Sequence, residues 1–228
     1  EFEPFFQNRL SKTALYLLEN YGSAEKMARM NSVSYEKLRS ISRGKFSPQQ
    51  FIRLKELAAN TVGVNNSIFD VELNCLLTLY KSLVAEIETL EREINRLVEE
   101  VHPRYLSIPG IGPISAAVIY AEYGDISNFS SPNQMLAFAG IEPSVNDSGT
   151  ESHNGRMVKH GSSQLRYVLI NCCLPLIRFE ETFATYYAKK RSENKPHRVA
   201  ITHVAKKLVR VIYALESQDI DFDPKKLR

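Results

Sequence analysis

Apolar residues recur along this chain at helical spacing almost everywhere, while strand-like alternation is scarce. The strongest periodicity lies between residues 69 and 101. Phe69, Leu76, Leu83, Leu90 and Leu97 follow one another every seven positions, and Leu73, Tyr80, Ile87, Ile94 and Val101 fill the alternate seam. Leucine on one seam, with mainly β-branched residues on the other in the second half, predicts a two-stranded parallel coiled coil. Its dimerising surface is Leu76, Leu83, Ile87, Leu90, Ile94 and Leu97. A helix packed on its own domain uses the same repeat and remains the alternative. Glu86, Glu88, Glu91, Arg92 and Glu93 fall largely outside the seam.

Short helices are predicted on either side of that repeat. Leu10, Ala14, Leu17 and Leu18 make one stripe. Ser23 is a candidate N-cap, and Ser47-Pro48 reads as an N-cap followed by proline at the first helical position. Val101-His102-Pro103 breaks the long pattern, because proline lacks an N–H and restricts the residue before it. Helices are expected over 113–122, 131–138, 163–190 and 198–216, followed by a polar tail. The predicted fold is mainly α: a helical segment over 1–66, a long coiled-coil helix over 67–104, and a helical C-terminal domain over 105–228.

Composition narrows the picture. The chain has 228 residues, 43% of them hydrophobic, enough for one or two units with a real core. No apolar run reaches the roughly 18 residues of a membrane span, and no signal-peptide pattern is visible at the start. Cys75, Cys172 and Cys173 offer neither a favourable disulfide nor zinc spacing, so a reducing cytoplasm is the expected compartment. The net charge of +3 hides an asymmetry. Residues 1–66 carry ten basic and six acidic side chains, residues 67–150 four and twelve, and residues 151–228 fifteen and eight. The basic C-terminal third favours a polyanionic partner, a solvated charged surface being the plainer reading.

Five stretches carry candidate chemistry. Ile108-Pro109-Gly110-Ile111-Gly112-Pro113 fits the turn of a helix-hairpin-helix, where Gly110, Ile111 and Gly112 would offer backbone N–H groups to a phosphate without reading sequence. An ordinary αα turn is the alternative. No Gly-Lys-Ser/Thr follows, which argues against a P-loop. Asn146-Asp147-Ser148-Gly149 presents a serine on a turn sequence, ahead of His153, Arg156, Lys159 and His160. Serine needs an activating base or metal to attack phosphorus. Ser162 is a candidate N-cap, and Lys159, Ser162 and Arg166 can converge on one anion. His203, Lys206, Lys207 and Arg210 share one helical face, with Ile201, Val204, Leu208, Val211 and Leu215 on the other. Arg39, Arg43, Lys45, Arg53 and Lys55 cluster around Ser42-Arg43-Gly44-Lys45, as a backbone contact or a solvated turn. The carboxylates lie at heptad spacing and supply no convincing metal site.

Taken together, Leu106 to Phe129, Leu136-Ala137-Phe138-Ala139-Gly140-Ile141-Glu142-Pro143, Ser148-Gly149 and Lys159-His160-Gly161-Ser162-Ser163-Gln164-Leu165-Arg166 resemble the DEDD insertion-sequence transposases. That family includes Piv invertase and the bridge-RNA-guided recombinases. The resemblance covers most of the chain, with Ala205-Lys206-Lys207-Leu208-Val209-Arg210 similar to the family's closing helix. It implies a serine that attacks DNA phosphate, mapped onto Ser148 with Ser144 and Ser152 as alternatives. It also implies a RuvC-like domain with a Mg²⁺-binding acidic tetrad, which this chain lacks; the sequence begins at Glu1 and reads as the C-terminal part of a longer protein. The expected chain therefore needs no cofactor of its own, is weak or inactive alone, and partners with DNA, guide RNA and a second copy, with no membrane. The competing class is a non-enzymatic helix-hairpin-helix module that binds nucleic acid and dimerises. A coiled-coil interaction protein with no nucleic-acid role is the third, opposed by the basic C-terminal third.

Overall fold

Each of the first four helices begins on a side-chain cap. Ser11 opens α1 (Lys12–Asn20), Ser23 opens α2 (Ala24–Ala28), Asn31 opens α3 (Ser32–Ile41) and Ser47 opens α4 (Pro48–Ala59). At Ser47 the Gln50 side chain returns the bond to the cap backbone, and Pro48 occupies the first helical position. The computed structural model describes residues 2, 5–6, 8–63, 66–148, 151–157 and 160–226, the two strands below by their backbone alone.

Residues 1–88 and 89–228 form two compact units. The long helix α5 (Ser67–Val101) belongs partly to each. In the first unit, Leu17, Met27, Met30, Leu38, Phe46 and Leu54 make the core, with Phe5, Phe6, Tyr35 and Phe51 packed around it. Lys55 closes one side: its ammonium donates to the Met30 carbonyl oxygen at 2.6 Å and lies 5.8 Å from the Phe51 ring centroid.

The second unit is built around a central helix. Its helices are α6 (Pro113–Tyr123), α7 (Pro132–Phe138), α8 (Ser163–Phe179), α9 (Glu181–Ser192) and α10 (His197–Gln218). α10 packs against α7, α8 and α9 at once. Its Ala200, Val204, Ala205, Leu208, Val209 and Ile212 are fully buried. Burying one large aliphatic side chain stabilises the fold by about 1.5–3 kcal/mol, so this helix anchors the unit.

The molecule is mainly α, and it departs from the sequence expectation in three places. The segment 163–190 is two helices, because Glu180 is extended and serves both as C-cap of α8 and as N-cap of α9. The turn lets Phe183 enter the core, where it is completely buried. Secondly, the element before the glycine turn is a single 3-10 turn, Arg104–Ser107, confined between Pro103 and the Ile108-Pro109 pair. Thirdly, β1 (Pro143–Ser148) and β2 (Glu151–Met157) form an antiparallel hairpin. Its sequence is polar and lacks period-two alternation, so backbone pairing rather than side-chain pattern defines it.

Candidate nucleic-acid interface and serine hairpin

The glycine turn is split between an inward and an outward residue. Gly110 has φ +100, and a Cβ there would sit 3.1 Å from the Leu176 backbone nitrogen and 3.1 Å from the Pro175 ring. Pro175 lies inside α8, so the turn lies directly against that helix at its proline. Ile111 is buried, and its N–H donates to the Ile108 carbonyl at 3.1 Å. Gly112 faces open space and caps α6 without a side-chain bond. The first N–H groups of a helix have no partner within it, so the outward, polar part of this turn is the start of α6 after Gly112.

The hairpin carries Ser148 at its far end. Ser148 pairs with Glu151 in the last register pair before the turn, and Arg156 lies on β2 near the base. Lys159 lies outside the described residues, as do the side chains of Ser148 and Arg156. The base of the hairpin meets the end of α7. Ile141 N–H donates to the Leu136 carbonyl at 3.1 Å, and Ser162 N–H donates to the Phe138 carbonyl at 3.0 Å. Ser162 also caps α8, its hydroxyl accepting from Leu165 N–H at 3.1 Å. The Arg166 guanidinium donates to the Ala139 carbonyl at 3.2 Å. His160 is exposed.

The basic face of α10 contains two kinds of lysine. The Lys207 ammonium lies 5.2 Å from the Phe183 and Tyr186 ring centroids, and burial pushes its pKa below the usual lysine value against the pull of Glu180. Lys206 is also shifted down by burial, with Glu142 opposing and Arg210 assisting. Arg210 is exposed. His203 is held below the usual imidazole value by burial, then by Lys195, Lys190 and Lys206, with Glu193 opposing. Lys190 on α9 and Lys195 just beyond its end therefore face His203, both paired with Glu193. The run Lys189-Lys190-Arg191 in the sequence was the available signal for Lys190.

Two further surfaces complete the inventory. Along α5, Leu76, Leu83, Ile87, Leu90 and Leu97 are at least half exposed, while Ile94 packs against the second unit's core beside buried Val98. In the first unit Arg39, Arg43, Lys45 and Arg53 are exposed around the α3–α4 turn. Among the described residues no group of three or more His, Cys, Asp or Glu comes together to hold a metal. No helix among them is long and apolar enough to cross a membrane.

Comparison with known proteins falls on this same region. Residues 103–188, from the helix break through the glycine turn and hairpin into α9, match the family model described as Transposase IS116/IS110/IS902 family. The chain is 30% identical over 215 residues to the transposase of insertion sequence element IS1111A from Coxiella burnetii, covering 90% of the chain and 54% of that protein. It is 27% identical over 208 residues to the uncharacterized 43.6 kDa protein of insertion element IS110 from Streptomyces coelicolor, covering 88% of the chain and 50% of that protein. A probable family 20 transposase from Pseudomonas aeruginosa is 29% identical over 158 residues, 64% of the chain and 47% of that protein. The chain spans about half the length of these relatives.

Proposed function

We propose that this chain is the DNA-handling and assembly part of an insertion-sequence transposase of the IS110 type, with Ser148 as its nucleophile. The observation that carries the reading is the coincidence of the family match with the region holding both the glycine turn and the serine hairpin. In the proposed reaction the Ser148 hydroxyl oxygen bonds to a DNA phosphorus and its proton passes to a base. The bond from phosphorus to one deoxyribose oxygen breaks, and that oxygen takes up a proton. Among the described residues no acidic or His/Cys cluster forms a metal centre; in this reading the Mg²⁺-binding RuvC-like domain implied by the resemblance supplies the metal, in cis or in trans. The start of α6 and the cations of α10 hold DNA or guide-RNA backbone, an electrostatic grip that weakens with salt. The exposed leucines of α5 pair two copies. Its compartment is the cytoplasm, in keeping with three unpaired cysteines.

The test is a covalent protein–DNA adduct, trapped on a denaturing gel with donor and target DNA, any guide RNA, Mg²⁺ and the RuvC-like domain present. The adduct is expected with the wild type and absent with Ser148→Ala, while DNA binding persists. An adduct that survives in Ser148→Ala moves the nucleophile to Ser144 or Ser152 or away from this chain. Binding with no adduct in either protein leaves a non-enzymatic binding module.

A further inference from the structure

The two ends of the serine hairpin meet at one place. β1 leaves the domain through Ile141 and Glu142, and the chain returns through His160 to Gly161. A Cβ at Gly161 would lie 2.1 Å from the Phe138 carbonyl oxygen, 2.4 Å from the Gly140 nitrogen and 2.7 Å from the Ala139 carbonyl carbon. All three are backbone atoms, so nothing there can rotate away, and the chain at Gly161 is pressed against the end of α7. Ala139, Ile141 and Leu165 beneath this contact are fully buried.

Hydrogen bonds complete the closure. The last carbonyls of a helix have no partner within it. At the end of α7 the Phe138 carbonyl accepts from Ser162 N–H and the Ala139 carbonyl accepts from Arg166, both from the start of α8. Arg166 stands in the first turns of α8, the positive end of that helix, where a cation is disfavoured. Its bond carries the charge onto the negative end of α7, which offsets that cost. Only one of five guanidinium N–H groups is needed for it.

We propose that Arg166, working with the bare backbone of Gly161, is the positioning residue of the serine hairpin: it fixes the base from which β1 projects and so the place of Ser148. The proposal rests on the reading of Ser148 as nucleophile. A reacting atom displaced by about 1 Å costs on the order of a hundredfold in rate, so a loosened base is felt at the tip.

The experiment has two arms. In this chain, nitroxides are placed at Asn146→Cys and Asn133→Cys in a Cys75→Ser background, since Cys172 and Cys173 are buried. Electron–electron resonance then reads the distance distribution between β1 and α7. It is expected to be narrow with Arg166, broad in Arg166→Gln, and narrowed again in Arg166→Lys, which keeps the positive charge on its donor. In the adduct assay, Arg166→Gln lowers the rate at saturating DNA by about tenfold to a hundredfold, with DNA affinity and its salt slope unchanged. A distribution that is broad already with Arg166, or stays narrow in Arg166→Gln, overturns the proposal. So does an unchanged rate. A weaker affinity with a salt slope shallower by about one phosphate overturns it by making Arg166 a phosphate ligand. An adduct that survives Ser148→Ala while the distribution broadens in Arg166→Gln removes the nucleophile and keeps the positioning of the hairpin.

Discussion

α5 and α10 are the two longest helices of the chain, and both carry an apolar stripe at helical spacing. Their stripes have opposite fates. On α10, Leu208 is 0% exposed, enclosed by three neighbouring helices. On α5, Leu83 is 55% exposed and Leu90 62% exposed. The alternate seam of α5 is not equally open: Leu73 and Tyr80 are half-buried in the first unit, and Ile94 joins the core of the second. The heptad is thus divided, one seam partly used by the chain itself and the other left uncovered. Periodicity marks a stripe that must be buried against something. It does not name the partner.

The comparison breaks first at α10. Leu208→Ala is expected to destabilise the second unit by about 2–5 kcal/mol, the cost of a cavity in a packed core, read from denaturant unfolding. A loss as small as that of a surface substitution would mean that α10 does not anchor the unit. The contrasting change is on α5. The pair Leu83→Glu and Leu90→Glu is expected to move the unfolding free energy of the dilute chain by only about 0.5 kcal/mol per site, and to abolish self-association in sedimentation. Loss of folding would show that these leucines are covered within one chain; a monomeric wild type would remove the pairing altogether. The smallest effect concerns a charge that α10 buries. Burial raises the Glu216 carboxyl above the usual glutamate value, against the Tyr105 and Arg104 N–H groups and the Arg104 charge. The folded chain therefore holds that proton more tightly than the unfolded one. The resulting stability is fully present below the ordinary glutamate pKa of about 4.3 and is lost as pH rises through the raised value. Glu216→Gln should flatten that part of the Tm-against-pH profile; an unchanged slope would place the titration elsewhere.

Local chemistry in the sequence was legible where one side chain meets its own backbone. Ser23, Ser47 and Ser162 cap helices as their positions predict, since a cap bonds to an N–H only three residues on. The break at His102-Pro103 follows from proline alone. The turn at Glu180 was not legible, because the apolar pattern runs through it and only the core site of Phe183 demands it. The hairpin was not legible either: strand pairing joins residues through backbone bonds that leave no trace in a polar sequence. Within the candidate site, Gly110 looked like one of a pair of ligand-facing glycines. The structure gives it a packing reason against Pro175 and Leu176, and leaves Gly112 to face outward. Lys207 belonged to a basic stripe by spacing, yet its ammonium lies over two aromatic rings.

The sequence by itself determined a mainly helical chain, the extent of its long helix, the capped starts of several others, and the resemblance carried by residues 106–166. These rest on interactions within a few residues, or on motifs read in order. Tertiary structure alone decided which apolar stripe is covered, that Arg166 reaches the Ala139 carbonyl, and that Gly161 must be glycine. Those outcomes depend on contacts between residues more than twenty positions apart, whose distances are set only when the helices pack.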